Sequence, residues 1–207
     1  MQTAQTSTEI PELERLEPVH TKGLQRVFAV LRVAIGWTFL WAFLDKAFAL
    51  GFSTGRVVND AGQTVKIDFF GQDAWIHGAS PTAGVVGFAL KGPFVDAIQT
   101  MTGYHMTQTG PQVAGWVDWV YMVSMLLIGL GLITGVMMRL AAVGGIIWLA
   151  VFYLGTAIWP EHNPFLDEHV VYAIVLVAVI LANAGRYYGL GKIWQRMEFV
   201  KDRRFLY

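Results

Sequence analysis

Four long apolar runs constrain the fold of this chain more than any other feature of its sequence. A hydrocarbon core of roughly 30 Å requires about 20 apolar residues in a helix, which rises about 1.5 Å per residue. The chain is 55% hydrophobic and only 14% charged, unlike an average soluble domain. We therefore predict an all-α integral membrane protein, a four-helix transmembrane up-down bundle with spans at about residues 27–50, 114–138, 140–159 and 166–184.

The distribution of basic residues predicts how these helices are oriented. Lys and Arg lie around the start of the first run, at Arg139 between the second and third runs, and after the fourth run. The loop that joins the third and fourth runs contains neither. By the positive-inside rule, both termini would be cytoplasmic and the long loop after the first run would face outward.

Two segments flank the predicted membrane domain at 27–189, and a third, the lid, lies within it. Residues 1–26 lack the basic start and apolar core of a cleavable signal and are expected to form a cytoplasmic tail. Residues 51–112 are expected to form a lid of a small hairpin and short helices, with Ser80 as a helix cap. Residues 190–207 alternate apolar and basic residues, which predicts an amphipathic helix on the inner membrane surface.

The acidic residues next to the apolar runs, together with Lys46 and His169, belong to the predicted outer ends of the helices. The first run ends with Asp45 and Lys46, and the second begins with Asp118. The fourth begins with Asp167, Glu168 and His169, and Tyr172 follows one turn later. Charges at membrane depth cost about 2.5–3.5 kcal/mol each on insertion scales, so such a group calls for pairing, water or a ligand.

Two interpretations of the acidic start of the fourth run remain open. Asn163 and Pro164 followed by acids are typical of a helix N-terminus, where negative charge meets the helix dipole. His169 beside a carboxylate could instead donate to a quinone carbonyl and exchange protons. Lys46 could neutralise a neighbouring acid, and Asp118 could simply be solvated.

Other residues allow alternatives of the same kind. Arg32 could extend its side chain to the inner headgroups or have a buried partner. Gly131 and Gly135 favour close helix contact. Aromatic residues such as Tyr121 and Trp148 fit interfacial belts and bundle packing, with a role beside a flat ring left open.

The composition excludes several kinds of chemistry. With no cysteine, the chain offers no disulfide, iron–sulfur cluster or covalently attached haem. A b-type haem would need two histidines at matching depth, whereas only His169 lies within a run. The remaining histidines lack metal-ligand spacing, so no haem and no metal are predicted. With a net charge of zero and no basic stripe, nucleic-acid binding is not expected.

The chain resembles the DoxX/DoxD family of small bacterial membrane proteins over about residues 28–192. The resemblance rests on "LRVAIGWTFLWAFLDK", "AWIHGASPTAGVVGFALKGPF", "GVMMRLAAVGG" and "NPFLDEHVVYAIVLVAVILANAGRYYGLG" in this order. It implies a place in the bacterial cytoplasmic membrane and a link to membrane redox chemistry. DoxD-type proteins are described as subunits of thiosulfate:quinone oxidoreductase, and DoxX-type proteins as membrane partners of thiol-handling and superoxide-detoxifying enzymes. Polar family positions match Arg32, Asp45, Lys46, Asn163, Asp167, Glu168 and His169.

These observations lead to two hypotheses of function. In the first, the chain is a quinone-linked oxidoreductase subunit that oxidises thiosulfate or a similar reductant. Its catalytic residues would be His169, Glu168 and Lys46, and its quinone-binding residues Asp45, Asp118, Asp167, Tyr172 and Arg32. In the second, it is a non-catalytic subunit whose lid docks a membrane or periplasmic redox enzyme. Lipid is a partner in both, and a homo-oligomer is left open. A transporter fits less well because the middle of each run lacks polar residues.

Overall fold

The computed structural model describes residues 21–108, 110–157, 160, 164 and 166–206, and the side chains of all of these except 156, 157 and 204. Most of this part of the chain is helical. The α-helices are α1 (Lys22–Phe48), α2 (Val95–Thr102), α3 (Gly115–Thr134), α4 (Met138–Phe152), α5 (Glu168–Leu181), α6 (Gly191–Trp194) and α7 (Glu198–Lys201). The strands are β1 (Arg56–Val58), β2 (Thr64–Ile67), β3 (His105–Thr107) and β4 (Gly110–Gln112).

Three of the predicted spans are confirmed as helices long and apolar enough to cross a membrane. They are Lys22–Phe48, Gly115–Thr134 and Met138–Gly155. The first begins earlier than predicted because Thr21 caps it, its hydroxyl accepting from Leu24 N–H at 3.4 Å. Residues 22–26 therefore belong to the helix and not to the tail. The rest of the predicted tail, residues 1–20, lies outside the described residues.

The fourth predicted span is an apolar helix but a shorter one. α5 has 14 residues and begins at Glu168, where Asp167 rather than Asn163 is the N-cap. At about 1.5 Å per residue it is about 21 Å long, less than a hydrocarbon core requires. Asn163 lies outside the described residues.

The four longest helices share one apolar core. α1 packs on α3, α3 on α4 and α4 on α5, and α5 also contacts α1. Fully buried side chains from three of these helices meet there, among them Met122, Leu132, Ala142 and Leu176. Elsewhere the helices expose many large apolar side chains, which is the arrangement expected of a protein surrounded by lipid.

Glycines set the distance between α1 and α3. A Cβ on Gly36 would lie 2.9 Å from the Leu132 Cβ, and one on Gly129 would lie 2.7 Å from the Leu40 backbone nitrogen. Gly131 similarly faces the Ala141 Cβ of α4 at 2.8 Å. The close helix contact expected at Gly131 is present, since small residues let two backbones approach.

The segment between α1 and α3, residues 49–114, covers one end of the helices, which we call the lid end. As predicted, it begins with a hairpin, in which β1 pairs antiparallel with β2 and Arg56 faces Ile67. A second hairpin, β3–β4, follows α2. The helical turn Val85–Ala89 lies between the two hairpins.

The opposite end, the tail end, is closed by residues 183–206. The prediction of one amphipathic helix here is wrong, because the segment folds as α6, α7 and a short turn at Arg204–Leu206. Val200 is buried, and the indole of Trp194 donates to the Leu206 carbonyl at 2.8 Å. Val200 and Trp194 thus turn inward on the end of the helices, whereas Ile193 and Phe199 of the same segment stay exposed.

Arg32 is completely buried at the tail end. One guanidinium nitrogen, Nη2, donates to the carbonyls of Tyr187 at 3.4 Å and Tyr188 at 3.3 Å. Within the described chain, its Nε and Nη1 have no hydrogen-bond partner. Of the two interpretations of Arg32, extension to the headgroups is therefore wrong, and a position buried against partners within the protein is the one observed. The cation lies near the carboxyl end of α3, where the helix dipole is negative.

Gly135 leaves the space that this guanidinium occupies. It ends α3 with φ +77°, and a Cβ there would overlap Arg32 Nη1 and lie 2.7 Å from the Gly185 carbonyl oxygen. Gly62 in the first hairpin turn has a similar φ of +75°, but a Cβ on Gly62 would meet no atom within 4 Å. The two glycines differ in their surroundings and not in backbone conformation.

We expect Gly135→Ala to lower the free energy of unfolding in detergent by about 2–4 kcal/mol, from left-handed strain plus overpacking. Gly62→Ala, which carries only the strain, should cost about 1 kcal/mol. Thermal unfolding followed by circular dichroism would measure both. Equal losses in the two variants would show that the Arg32 site tolerates added volume.

Candidate functional site

Asp45 fastens the start of the lid to α1. Its carboxylate accepts from the backbone N–H groups of Phe52 at 2.9 Å and Ser53 at 2.8 Å. It also accepts from the hydroxyls of Ser53 at 2.5 Å and Thr54 at 3.0 Å. Four donors saturate this buried carboxylate, so its burial is compensated by hydrogen bonds from the chain itself.

Lys46 belongs to the same network. Its ammonium donates to the Ser53 hydroxyl at 3.1 Å, and Ser53 in turn donates to Asp45. The ammonium also lies 5.9 Å from the centre of the Tyr121 ring, within cation–π distance. These contacts favour the structural interpretation of Lys46 over that of an anion-binding catalytic residue.

Asp118 fastens the middle of the lid to α3. The buried carboxylate accepts from the Ser80 hydroxyl at 2.7 Å, the Thr82 hydroxyl at 2.7 Å and the Thr82 N–H at 3.0 Å. Asp118 is thus neither solvated nor free to bind a ligand. The prediction that Ser80 caps a helix is wrong, because its hydroxyl serves Asp118 and Val85–Ala89 has no side-chain cap.

Asp167 and His169 form a pair at the start of α5. One Asp167 oxygen accepts from the Val170 N–H at 3.1 Å as the helix cap, and the other lies 2.5 Å from His169 Nδ1. When the carboxylate is ionised it can only accept, so Nδ1 carries the hydrogen that it shares with Asp167, and Nε2 is the ring nitrogen that Asp167 does not contact. The side chain of His169 is 22% exposed and that of Asp167 8%.

The pKa of Asp167, which precedes α5, lies below that of an ordinary aspartate. Burial alone would raise this pKa, but the hydrogen bond and charge of His169 and the Val170 N–H lower it by more. Both the cap and the pair therefore favour the ionised carboxylate.

An aromatic cluster connects this pair to the neighbouring helices. The ring centre of Phe152 lies 5.9 Å from that of His169, 5.7 Å from that of Trp148 and 6.3 Å from that of Tyr121. Tyr121 and Trp148 meet edge to face at 5.3 Å. Lys46 and His169, which come from α1 and α5, thus lie on two sides of one cluster.

A cavity of about 500 Å³ lies beneath the lid between α3 and α4. Tyr121, Trp148 and Phe152 line its helical side, and residues of the lid such as Thr82 and Val86 line the other. Most of this lining is apolar. The volume is within the range of sites that hold small organic molecules.

A second cavity of about 540 Å³ runs along the same face of α3 and α4 toward the tail end. It includes Gly131 and Gly144, and it shares Ile147 and Trp148 with the cavity beneath the lid. The two therefore adjoin, and Ile147 is 58% exposed on the outer surface of the helices.

The eight residues proposed from sequence do not form one pocket. None of them is among the described residues that line the cavity beneath the lid. Asp45 with Lys46, Asp118, and Asp167 with His169 belong to three separate networks at the lid end. Glu168 is exposed, Tyr172 packs against the core, and Arg32 lies at the opposite end. Their assigned functional roles remain predictions.

The residues that do line the cavity were not assigned to a site by sequence reasoning. Trp148 and Phe152 are four residues apart on α4, a spacing that places both on one helix face. That signal is present in the sequence, but it is equally typical of core packing. Thr82 could hardly be recognised from sequence as a residue of the cavity, since the residue that positions it, Asp118, is 36 residues away in the chain.

Asp167, Glu168 and His169 offer three ligand atoms within 4.8 Å of one another. A cluster of this size could hold a metal ion by distance alone. However, His169 Nδ1 and both Asp167 oxygens already bond to each other or to the helix N-terminus. Binding a cation there would break this local arrangement, and the prediction of no metal stays a prediction.

No family model, curated protein or solved structure matches the chain. The structure itself defines the class only: a helical protein with three membrane-length helices, covered at one end by a lid held in place by buried carboxylates.

Replacing Asp118 by Asn should loosen the lid, because the negative charge is lost and one of the two accepting oxygens, which face Thr82 and Ser80, becomes an N–H donor. We expect faster amide hydrogen exchange over residues 79–90, about 10-fold or more, from a loss of about 1.5–3 kcal/mol. Asp68→Asn is the control, because this carboxylate lies in the same lid, is 48% exposed and pairs only with the neighbouring Lys66 among the ion pairs of the described residues. Equal exchange in both variants would exclude the tether.

The lowered pKa of Asp167 predicts a pH effect with a defined sign. A carboxyl with a depressed folded-state pKa stabilises the fold above its unfolded pKa, about 3.9, and this contribution is lost as pH falls through the folded value. Melting temperatures measured from pH 6 down to pH 2.5 should therefore fall less steeply in Asp167→Asn than in the parent. Asp60→Asn, in the exposed hairpin turn, should leave the slope unchanged.

Proposed function

We propose that this chain is a membrane subunit of a quinone-linked redox system of the DoxX/DoxD type, and that it binds the quinone ring in the cavity beneath the lid. The observation that carries this proposal is the cavity of about 500 Å³ walled by Tyr121, Trp148 and Phe152. A flat apolar ring is the ligand that such walls accommodate best, because aromatic side chains stack against it or meet it edge to face.

The position of the cavity supports a ligand that is dissolved in lipid. Trp116, Val120, Ile147 and Val151 all line it and are all about half exposed on the sides of α3 and α4. The site therefore opens toward the membrane rather than only toward water. A quinone could enter sideways without leaving the bilayer.

His169 is the residue we assign to proton exchange. It contacts Phe152, which lines the cavity, and its Nε2 is the nitrogen that Asp167 leaves available. Reduction of a quinone to a quinol takes two electrons and two protons, one for each carbonyl oxygen. His169 would relay both protons in turn from water at the lid end toward the quinone and be reprotonated from that water after each transfer, while Asp167, rather than the exposed Glu168, orients the imidazole ring.

Electrons would come from a partner redox protein, because this chain has no cysteine with which to hold an iron–sulfur cluster of its own. Oxidation of thiosulfate would belong to that partner. Lys46 is not assigned to the anion, since its ammonium already donates to Ser53 beside the Asp45 carboxylate.

The proposal includes the membrane arrangement. α5 would be the fourth transmembrane element of the bundle, with Asp167 at its water-facing start. The excess of Lys and Arg at the tail end supports a cytoplasmic location for that end and for both termini in a bacterial inner membrane. The lid would then face the outer side.

A second candidate function is docking of a redox enzyme without quinone binding. The lid exposes large apolar side chains, including Phe69 at 58%, Phe88 at 68% and Met101 at 76%. Exposed apolar groups on this scale are typical of a protein or membrane contact. In this alternative the aromatic cluster and buried carboxylates serve only to hold the docking surface in shape.

Filling the cavity distinguishes the two candidates. Val151→Trp places a large ring at a lining position of α4 and should weaken binding of a short-chain quinone at least 10-fold by exclusion of volume. Val143→Trp is the matched control, because both valines are 48% exposed on α4 and Val143 lines neither of the two cavities along α3 and α4. Quenching of tryptophan fluorescence by quinone in detergent micelles would measure the dissociation constants.

Unchanged quinone affinity in Val151→Trp would contradict the proposed site. If such a protein still co-purified with a redox complex, and substitutions at Phe69 and Phe88 released that complex, docking would be the better assignment. Loss of affinity in both valine variants would instead indicate a general packing defect.

A further inference from the structure

The tail end carries a concentration of positive charge that the quinone proposal does not use. A cavity of about 290 Å³ is lined there by Asn183, Arg186, Lys192, Gln195, Arg196 and Lys201. A neighbouring cavity of about 380 Å³ shares Arg186 and Lys192 and adds Gln25 and the two tyrosines at 187 and 188. Unlike the cavity beneath the lid, both are predominantly polar.

The charge of this cluster is only partly neutralised. Lys201 donates to the Glu198 carboxylate at 2.7 Å. Among the described residues, Arg186, Lys192 and Arg196 have no carboxylate within ion-pair distance, although Asp202 follows Lys201 in the chain. Three cations around one small cavity repel each other unless an anion lies between them.

A packed framework holds these cations in place. The backbone N–H of Leu190 donates to the Thr134 carbonyl at the end of α3, at 2.8 Å. The side chain of Arg26, in the first turns of α1, donates to the Tyr188 hydroxyl at 3.3 Å. The cavity is therefore fixed to the ends of two membrane-length helices and is not part of a loose basic tail.

Exposed apolar side chains surround the basic cavity. Leu190 is 53% exposed, Ile193 66% and Phe199 50%, all within the same short segment. A site for a small anion from water would not need such neighbours. Basic groups beside exposed apolar groups, at the end of membrane-length helices, match the interface where phosphates lie above acyl chains.

We propose that the basic cavity at the tail end binds the phosphate group of an anionic phospholipid headgroup. Arg186 and Lys192, which line both cavities, would donate charge-assisted hydrogen bonds to the phosphate oxygens. Arg196 adds positive charge from the side, and Leu190 and Ile193 contact the acyl region. The site is independent of quinone binding, since it lies at the opposite end of the helices.

The test uses the full chain in detergent micelles and three probes: dihexanoyl phosphatidylglycerol, dihexanoyl phosphatidylcholine and inorganic phosphate. Native mass spectrometry would give the binding constants. Phosphatidylglycerol is expected to bind about 10-fold more tightly than phosphatidylcholine, because each cation near an anionic headgroup contributes severalfold to affinity. Inorganic phosphate should compete only weakly, since it lacks the acyl contacts.

A pair of double variants locates the site. The double variant Arg186→Gln with Lys192→Gln should abolish the preference for phosphatidylglycerol. The control variant, Lys66→Gln with Lys91→Gln in the lid, removes the same amount of charge and should keep that preference. All four side chains belong to exposed residues, so folding should survive. No preference in the parent protein, or equal effects of the two double variants, would overturn the proposal. If inorganic phosphate competed as strongly as the lipid, the site would bind free phosphate, and the proposal that it binds a lipid headgroup would be overturned.

Discussion

Hydrogen bonding of buried carboxylates is the interaction on which the rest of this structure depends. Asp45 and Asp118 lie at the ends of helices that are otherwise apolar, where an uncompensated charge is costly. Both are satisfied by backbone N–H groups and hydroxyls of the lid instead of by cations. Asp45 holds the start of the lid on α1, and Asp118 holds Thr82, which lines the cavity, over α3.

The elements that depend on local pattern could be predicted from sequence. The apolar runs predicted the three membrane-length helices, and the pattern of residues 51–112 predicted a small hairpin and short helices, which β1–β2 and α2 confirm. The prediction of one helix in the tail failed for a tertiary reason. Val200 packs inward on the helix ends while Ile193 and Phe199 stay exposed, and the chain breaks into α6 and α7 to place them so.

The candidate site was harder to predict because it depends on partners distant in sequence. The sequence predicted that Asp45, Asp118 and His169 lie at the same end of the helices. It could not show that Ser53 would donate hydrogen bonds to Asp45 and Thr82 to Asp118. Nor could it show that Trp148 and Phe152 turn toward Tyr121, since that depends on how α3 and α4 are rotated about their axes. Arg32 shows the same limit: it is buried against carbonyls more than 150 residues away.

The two cavities on α3 and α4 adjoin at Ile147 and Trp148, and this has a consequence for how any ligand reaches the lid. A molecule with a flat head and a long hydrocarbon chain could occupy both cavities at once. The head would lie in the cavity beneath the lid, and the chain would lie in the adjoining cavity toward the tail end. Occupancy would then follow the amount of ligand dissolved in the surrounding lipid, not its concentration in water, and exchange would proceed by lateral diffusion within the membrane plane.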